Sequence, residues 1–256
     1  MLRTRVFTAL LFGGVFLLAA WAGGVYWSAL WAAVVAIGVW EYAGIVGAAG
    51  VRLARFPLLV LSLGLLLFGG DHRVWLPLAL PFTAVVLLAG REYSFLSALF
   101  FLHGALYLGV LPSFMLQLRS LGAGPVVAAF GTIWATDTFA YFTGRALGRH
   151  PLASRVSPKK TVEGGLGGLL GAMLISVVGG PLLGLPRDWA WLAAAGLCAG
   201  VVGQLGDLYE SALKRYGGVK DSGTLLPGHG GVLDRFDSAL FVIPVWLLVG
   251  RWARWW

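Results

Sequence analysis

Two polar segments interrupt an otherwise apolar chain, and their residues are of the types that handle phosphate. Residues 144–168 read GRALGRHPLASRVSPKKTVEGGLGG and residues 203–238 read GQLGDLYESALKRYGGVKDSGTLLPGHGGVLDRFDS. Seven of the 11 acids, Asp137, Glu163, Asp207, Glu210, Asp221, Asp234 and Asp237, lie in or beside them. Asp207, Glu210, Ser211 and Lys214 follow helical spacing and share one face of a helix. Asp234 and Asp237 open an apolar run with Arg235 between them. Acids there suit a helix N-terminus, and they equally suit Mg2+, a hard cation that takes carboxylate oxygens and keeps waters for phosphates. Asp137 stands inside the apolar run GTIWATDTFAYFTG, where a carboxylate costs a few kcal/mol unless it faces water or a partner. It is either functional or a structural group bonded to Thr136, Thr138 or Tyr141. His229 lies between glycines, and His72, His103 and His150 are remote in sequence, which disfavours zinc. Gly228, Gly230 and Gly231 let a backbone approach phosphate. Lys159, Lys160, Lys214, Arg215, Lys220 and Arg235 form the basic set. Taken singly, such residues orient a membrane protein and attract anionic headgroups, at about 1 kcal/mol each. Taken with the acids, they suggest phosphoryl or nucleotidyl transfer, which needs mostly positioning and charge neutralisation.

The elements that must position these groups are membrane helices. Of 256 residues, 59% are hydrophobic and 12% charged, and mean hydropathy is +0.83. Soluble domains are about 25% charged, so a soluble enzyme, a disordered chain and a disulfide scaffold are excluded. The single cysteine, Cys198, sits in an apolar run. A net charge of +8 reflects cytoplasmic loops rather than a nucleic-acid partner. Apolar stretches at 6–22, 25–47, 57–70, 74–90, 95–116, 125–144, 164–185, 189–209 and 237–251 predict an all-α, polytopic membrane protein of about nine transmembrane helices. The run 57–70 is short and carries Gly64, Gly69 and Gly70, so eight is the alternative count. With the N-terminus inside, 14 of the 19 Lys and Arg fall on the inner side and five outside. This bias predicts an N-in, C-out orientation. The chain reads as one integral membrane domain over 1–256, with transmembrane helices in 1–124 and a catalytic half in 125–256 whose loops lie at the cytoplasmic face.

The stretch from Ser211 to Asp237, with Lys214, Arg215, Lys220, Asp221, LPGHGG and Asp234-Arg235-Phe236-Asp237, resembles the signature of the phosphatidate cytidylyltransferases, or CDP-diacylglycerol synthases. Residues 157–164, SPKKTVEG, and Asp137 with Ala140, Tyr141 and Gly144 are similar to that family as well. The resemblance covers 131–238 without departure from the signature. It implies the reaction of CTP with phosphatidate to give CDP-diacylglycerol and pyrophosphate. It also implies a homodimeric multi-pass enzyme of the cell inner membrane that uses Mg2+, with K+ as a second ion. On this reading Asp207 and Asp234 hold metal, with Asp237 and Asp137 as further ligands and Asp221 as another candidate. Lys214, Arg215, Lys220 and Arg235 hold the triphosphate, and Lys159 and Lys160 hold lipid or nucleotide phosphate. Ser211, His229, Gly230 and Gly231 complete the substrate contacts. The catalytic set is Lys214, Lys220, Asp221, Arg235 and His229. A related polyprenol or lipid kinase would share acids and basic loops but lack the HGGxxDR segment. A CDP-alcohol phosphotransferase would show a dense aspartate cluster, roughly DGxxAR…GxxxDxxxD, which is absent. A cation transporter built on Asp137 and Asp207 would have no need of the loop signature.

Overall fold

Lipid offers no partner for backbone N–H and C=O groups, so a chain this apolar closes its hydrogen bonds within helices. The computed structural model describes residues 2–68, 72–88, 93–226, 228 and 230–256. Among these the helices are α1 (Leu2–Ala22), α2 (Gly24–Ala48), α3 (Arg55–Phe68), α4 (His72–Leu88), α5 (Phe95–Ala105), α6 (Leu111–Ser120), α7 (Ala123–Leu147), α8 (Val162–Leu182), α9 (Trp189–Tyr216) and α10 (Leu233–Trp252). A π-helical turn, Leu106–Val110, joins α5 to α6. Each apolar stretch expected from the sequence coincides with helix over most of its described residues, the expected 164–185 ending at Leu182. Among the described residues, four helical stretches are long and apolar enough to cross a membrane: Gly24–Ala48, Phe95–Ser120, Val162–Leu182 and Trp189–Tyr216.

One connector departs from the all-α expectation. Residues 151–161 form an antiparallel hairpin, β1 (Pro151–Ala153) with β2 (Ser157–Thr161), in the register Pro151 to Thr161 and Ala153 to Ser157. Pro151 and Pro158 each lack the N–H that a helix interior needs, so the polar segment pairs as short strands. Thr161 then caps α8, its Oγ1 accepting from the Gly164 amide at 3.1 Å. Another difference is that α9 runs on to Tyr216, well past its apolar part. Its 28 residues span about 42 Å at 1.5 Å per residue, more than the roughly 30 Å of hydrocarbon. The surplus is the polar end that carries Asp207, Ser211 and Lys214 on one continuous helix.

The chain divides into two compact units, Met1–Gln117 with Leu213–Phe236, and Leu118–Ala212 with Asp237–Trp256. In the first, Phe16, Trp27, Trp31 and Phe236 form an aromatic core, with Trp31 and Phe236 ring centres 4.9 Å apart. The Trp27 indole donates to the Met115 carbonyl at 2.9 Å, giving its polar atom a partner. The π-helical turn lies where Gly109 meets Leu65 of α3, a contact too close for a side chain.

In the second unit, small residues bring helices together. Side chains built at Gly167 and Gly171 of α8 would strike Thr143 and Phe139 of α7, and one built at Gly164 would strike the Ala140 carbonyl. Along α9, Gly196 and Gly200 lie against α8, and Gly203 and Gly206 against α10. Small residues three or four apart let membrane helices approach closely and gain dispersion contact. The Ser176 hydroxyl fastens α8 to α9 by donating to the Leu192 carbonyl at 2.6 Å. Replacing Gly167 by Leu forces a clash with the Thr143 side chain at 2.5 Å or less and is expected to cost about 1–3 kcal/mol. Gly44→Ala, whose added carbon meets open space, should leave stability unchanged or slightly raise it. The thermal unfolding midpoint in detergent separates the two.

Candidate active site

The candidate residues gather in two constellations, one in each unit. In the second unit a cavity of about 390 Å3 is lined by Asp137, Arg145, Lys159, Lys160, Thr161 and Gln204, among others. Helix α7 supplies Asp137 and Arg145, the hairpin supplies the two lysines, and α9 supplies Gln204. Lys160 forms an ion pair with Asp207, and both side chains stay partly exposed to solvent. Arg145 donates to the Tyr141 hydroxyl at 3.1 Å. Gln204 fixes one wall by donating to the carbonyls of Gly165 (3.2 Å) and Gly200 (3.1 Å). Glu163 secures the approach to the hairpin, accepting from the amides of Arg149 at 3.0 Å and His150 at 3.2 Å. Asp237 lies at the start of α10 where its carbonyl closes on Gly206, and its Oδ1 accepts from the Ser238 amide at 2.6 Å.

In the first unit the signature loop closes on a pair of carboxylates. Asp234 accepts from Lys214, from the amide and hydroxyl of Ser222 (both 2.9 Å), and from the Gly231 amide (2.8 Å). Burial alone would raise the Asp234 carboxyl, but Lys214 and the Gly231 and Ser222 donors outweigh it, and its pKa lies below the ordinary value. Glu41 of α2 accepts from the amides of Val232 and Leu233, both at 2.8 Å, and from the Ser222 hydroxyl at 2.9 Å. The Ser222 hydroxyl has one proton, so it serves Glu41 and Asp234 in turn. The Glu41 carboxylate also meets the positive end of α10.

Glycine is required around this pair. A side chain at Gly223 would meet Glu41 at 2.7 Å, and one at Gly231 would meet both Ser222 and Glu41. Gly230 adopts φ +79° and faces the Asp234 carboxylate. The close approach that Gly230 and Gly231 permit is thus to carboxylates of this chain. Gly230 also closes the loop, its carbonyl accepting from the Leu226 amide at 2.9 Å.

Around this clamp Lys220, Asp221 and Arg235 are exposed; in the second unit Ser211 is half-buried on α9. Arg215 donates to the Val219 carbonyl at 3.0 Å, which closes the turn after α9. His229 lies outside the described residues. Among the described residues no three His, Cys, Asp or Glu side chains gather as a metal-holding group.

Sequence reasoning missed Glu41, Ser222 and Gln204. Glu41 had a readable signal, because it is an acid inside the apolar run 25–47, the same anomaly that marked Asp137. Ser222 and Gln204 are polar residues of ordinary type, and only their contacts distinguish them.

An apolar helical protein with four helical stretches able to cross a membrane among its described residues, and with a Lys160–Asp207 pair beside a cavity, has the make-up of a membrane protein. The sequence matches the cytidylyltransferase family over residues 3–252, and the chain belongs to that family. A phosphatidate cytidylyltransferase of Staphylococcus epidermidis is 43% identical over 158 residues, covering 62% of this chain and 61% of that relative. Proteins of the same name from Bacillus subtilis and Staphylococcus aureus are each 42% identical, over 170 and 158 residues; these matches cover 65% and 62% of this chain and 62% and 61% of those relatives. The chain spans about three fifths of the length of the curated relatives it matches.

Removing Glu41 strands the Val232 and Leu233 amides, each costing about 1–3 kcal/mol if left unsatisfied, while the Ser222 hydroxyl keeps Asp234 as acceptor. Glu41→Ala should therefore lower the thermal midpoint by several degrees, and Glu41→Gln, which keeps one acceptor oxygen, should lower it less. The depressed Asp234 pKa also has a sign. Its stabilisation is complete above the unfolded value of about 3.9 and is lost as pH falls through the lower folded value. Wild-type stability should thus fall more steeply than that of Asp234→Asn on acidification below about pH 4, read as paired melting curves.

Proposed function

We propose that this chain transfers the cytidylyl group of CTP to phosphatidate, forming CDP-diacylglycerol and pyrophosphate for phospholipid biosynthesis. The observation that carries this reading is the cavity lined by Asp137, Lys159 and Lys160, with Lys160 paired to Asp207, in a chain of the cytidylyltransferase family. The named relatives do not favour the lipid-kinase alternative.

The phosphomonoester of phosphatidate is anionic at neutral pH, so its oxygen attacks the α-phosphorus of CTP without a strong base. A new O–P bond forms as the bond from the α-phosphorus to the bridging oxygen breaks, and pyrophosphate leaves with that electron pair. The obstacle is the repulsion of two anions. Lys159 and Lys160 offset it at the cavity, and Lys220 and Arg235, exposed on the signature segment, are assigned to the triphosphate. Asp137 lines this cavity and Asp207 pairs with its Lys160; both are hard oxygen donors of the kind Mg2+ takes, and Asp207 would exchange Lys160 for the ion. They would hold that ion, with Asp237 as a further candidate. Bound Mg2+ supplies charge neutralisation at the phosphate oxygens. Asp234, already accepting from Lys214, Ser222 and Gly231, would have to exchange these donors to ligate metal; its immediate task is to hold the signature loop. Ser211 and His229 remain candidate hydrogen-bond partners for substrate, and K+ a candidate second ion. The same reading includes nine spans with N-in, C-out orientation, a homodimer, and a site at the cytoplasmic face of the cell inner membrane.

The test is purified protein in detergent with labelled CTP, phosphatidate and Mg2+. A labelled lipid and released pyrophosphate are expected, whereas a product formed only with a free lipid alcohol would overturn the proposal. Asp207→Asn should lower turnover at least about 100-fold, the scale of losing an electrostatic catalytic group, with the fold intact by thermal melting. Lys220→Ala should raise the KM for CTP more than it lowers kcat, as checked by steady-state kinetics.

A further inference from the structure

The corner between α2 and α3 holds a second set of cations that the proposed reaction does not use. Arg52, Arg55 and Tyr93 line a cavity of about 440 Å3 whose floor includes Gly47 and Gly50. Side chains built at either glycine would meet nothing within 4 Å, and Gly50 adopts φ +81°, so bare backbone keeps the space open. Arg55 and Tyr93 also line an adjoining hollow of about 660 Å3, walled by Phe56, Val60, Phe82 and Val85. Phe56 and Val85 are strongly exposed, at 71% and 62%. A polar recess with two guanidinium groups therefore opens directly into an apolar trough.

That sequence of chemistries matches one class of ligand, a headgroup phosphate followed by an acyl chain. We propose that this corner binds a diacyl phosphomonoester lipid, with the phosphate at Arg52 and Arg55 and one acyl chain along Phe56, Val60 and Val85. Charge selects the monoester. A phosphomonoester, at −1.5 to −2 near pH 7, is drawn to guanidinium groups more strongly than the single charge of a diester lipid. Guanidinium forks bind phosphate in a bidentate manner. Helix α3 begins at Arg55, and Ala54 before it has no side-chain acceptor to cap it, so the positive end of the helix adds to the attraction. The position suits a lipid of the inner leaflet, since the charge bias places the α2–α3 connector and the connector carrying Tyr93 on the inner side. The acyl trough then faces the bilayer, and the tyrosine sits at the interface such rings favour.

The choice of phosphomonoester rests on the proposed lipid substrate, but the test omits CTP and reads binding alone. The full-length protein in detergent is titrated with dioctanoyl phosphatidate, phosphatidylglycerol or phosphatidylcholine, and retained lipids are counted by native mass spectrometry. Wild type is expected to retain phosphatidate in preference to both diesters. Arg52→Gln with Arg55→Gln should weaken one phosphatidate site at least tenfold, and Val60→Trp, which fills the trough without touching charge, should weaken the same site. Equal retention by these variants, or equal retention of phosphatidylglycerol by wild type, overturns the proposal. If the double-arginine variant does not fold, the wild-type lipid preference and Val60→Trp decide it. Retained binding in a protein that makes no CDP-lipid would sink the proposed reaction and leave this site standing; normal turnover with no such binding would do the reverse.

Discussion

The structure of the signature loop depends on one arrangement, in which two carboxylates share a serine hydroxyl. Glu41 and Asp234 each accept from Ser222, and between them they hold the amides of Gly231, Val232 and Leu233. Two buried acids this close would repel each other strongly if unsupported. Lys214, the helix end and the amides supply the compensating positive potential. Val232 and Leu233 anchor the end of the loop in the core, and hydrogen bonding to these acids fixes the shape of the polar stretch before them. Its glycines follow from that, because the carboxylates leave no room for a side chain at positions 223 and 231.

The second unit answers the same difficulty with different parts. There a carboxylate on α9 meets a lysine brought by a hairpin, and the close packing of α8, made possible by its glycines, sets where the hairpin stands. Thr161 ends the strand and starts the helix, so the position of Lys160 is coupled to the α7–α8 contact. Packing in the apolar layer thereby reaches the chemistry at its edge through one capping threonine.

Much of this was legible in the sequence. Apolar runs gave the helices because composition alone forces helix formation in lipid. Acids in apolar context marked Asp137 and Asp207, and the helical spacing of Asp207, Ser211 and Lys214 is realised because α9 continues past its apolar part. The hairpin at 151–161 was not legible, since three and five residues are too few for a period to show, and the surrounding charge reads as loop. The partner of the signature loop was not legible either. Glu41 and Ser222 are 181 residues apart, and no local pattern links them. Conversely, the signature cations were readable as a set, yet their tasks were not: Arg215 closes a turn and Lys214 holds Asp234, roles that only contacts reveal.

The hairpin carries one more implication. Neighbouring residues on a strand point to opposite faces, so Lys159 and Lys160 do not hold equivalent posts, and only Lys160 pairs with Asp207. Shortening or lengthening the turn by one residue would rotate the strand by half a period and exchange the two ammonium groups while conserving composition and net charge. The length of a three-residue bend thus acts as a spatial address for a single positive charge, and variation among such proteins should be tolerated in the identity of Ser154 and Arg155 far more readily than in their number.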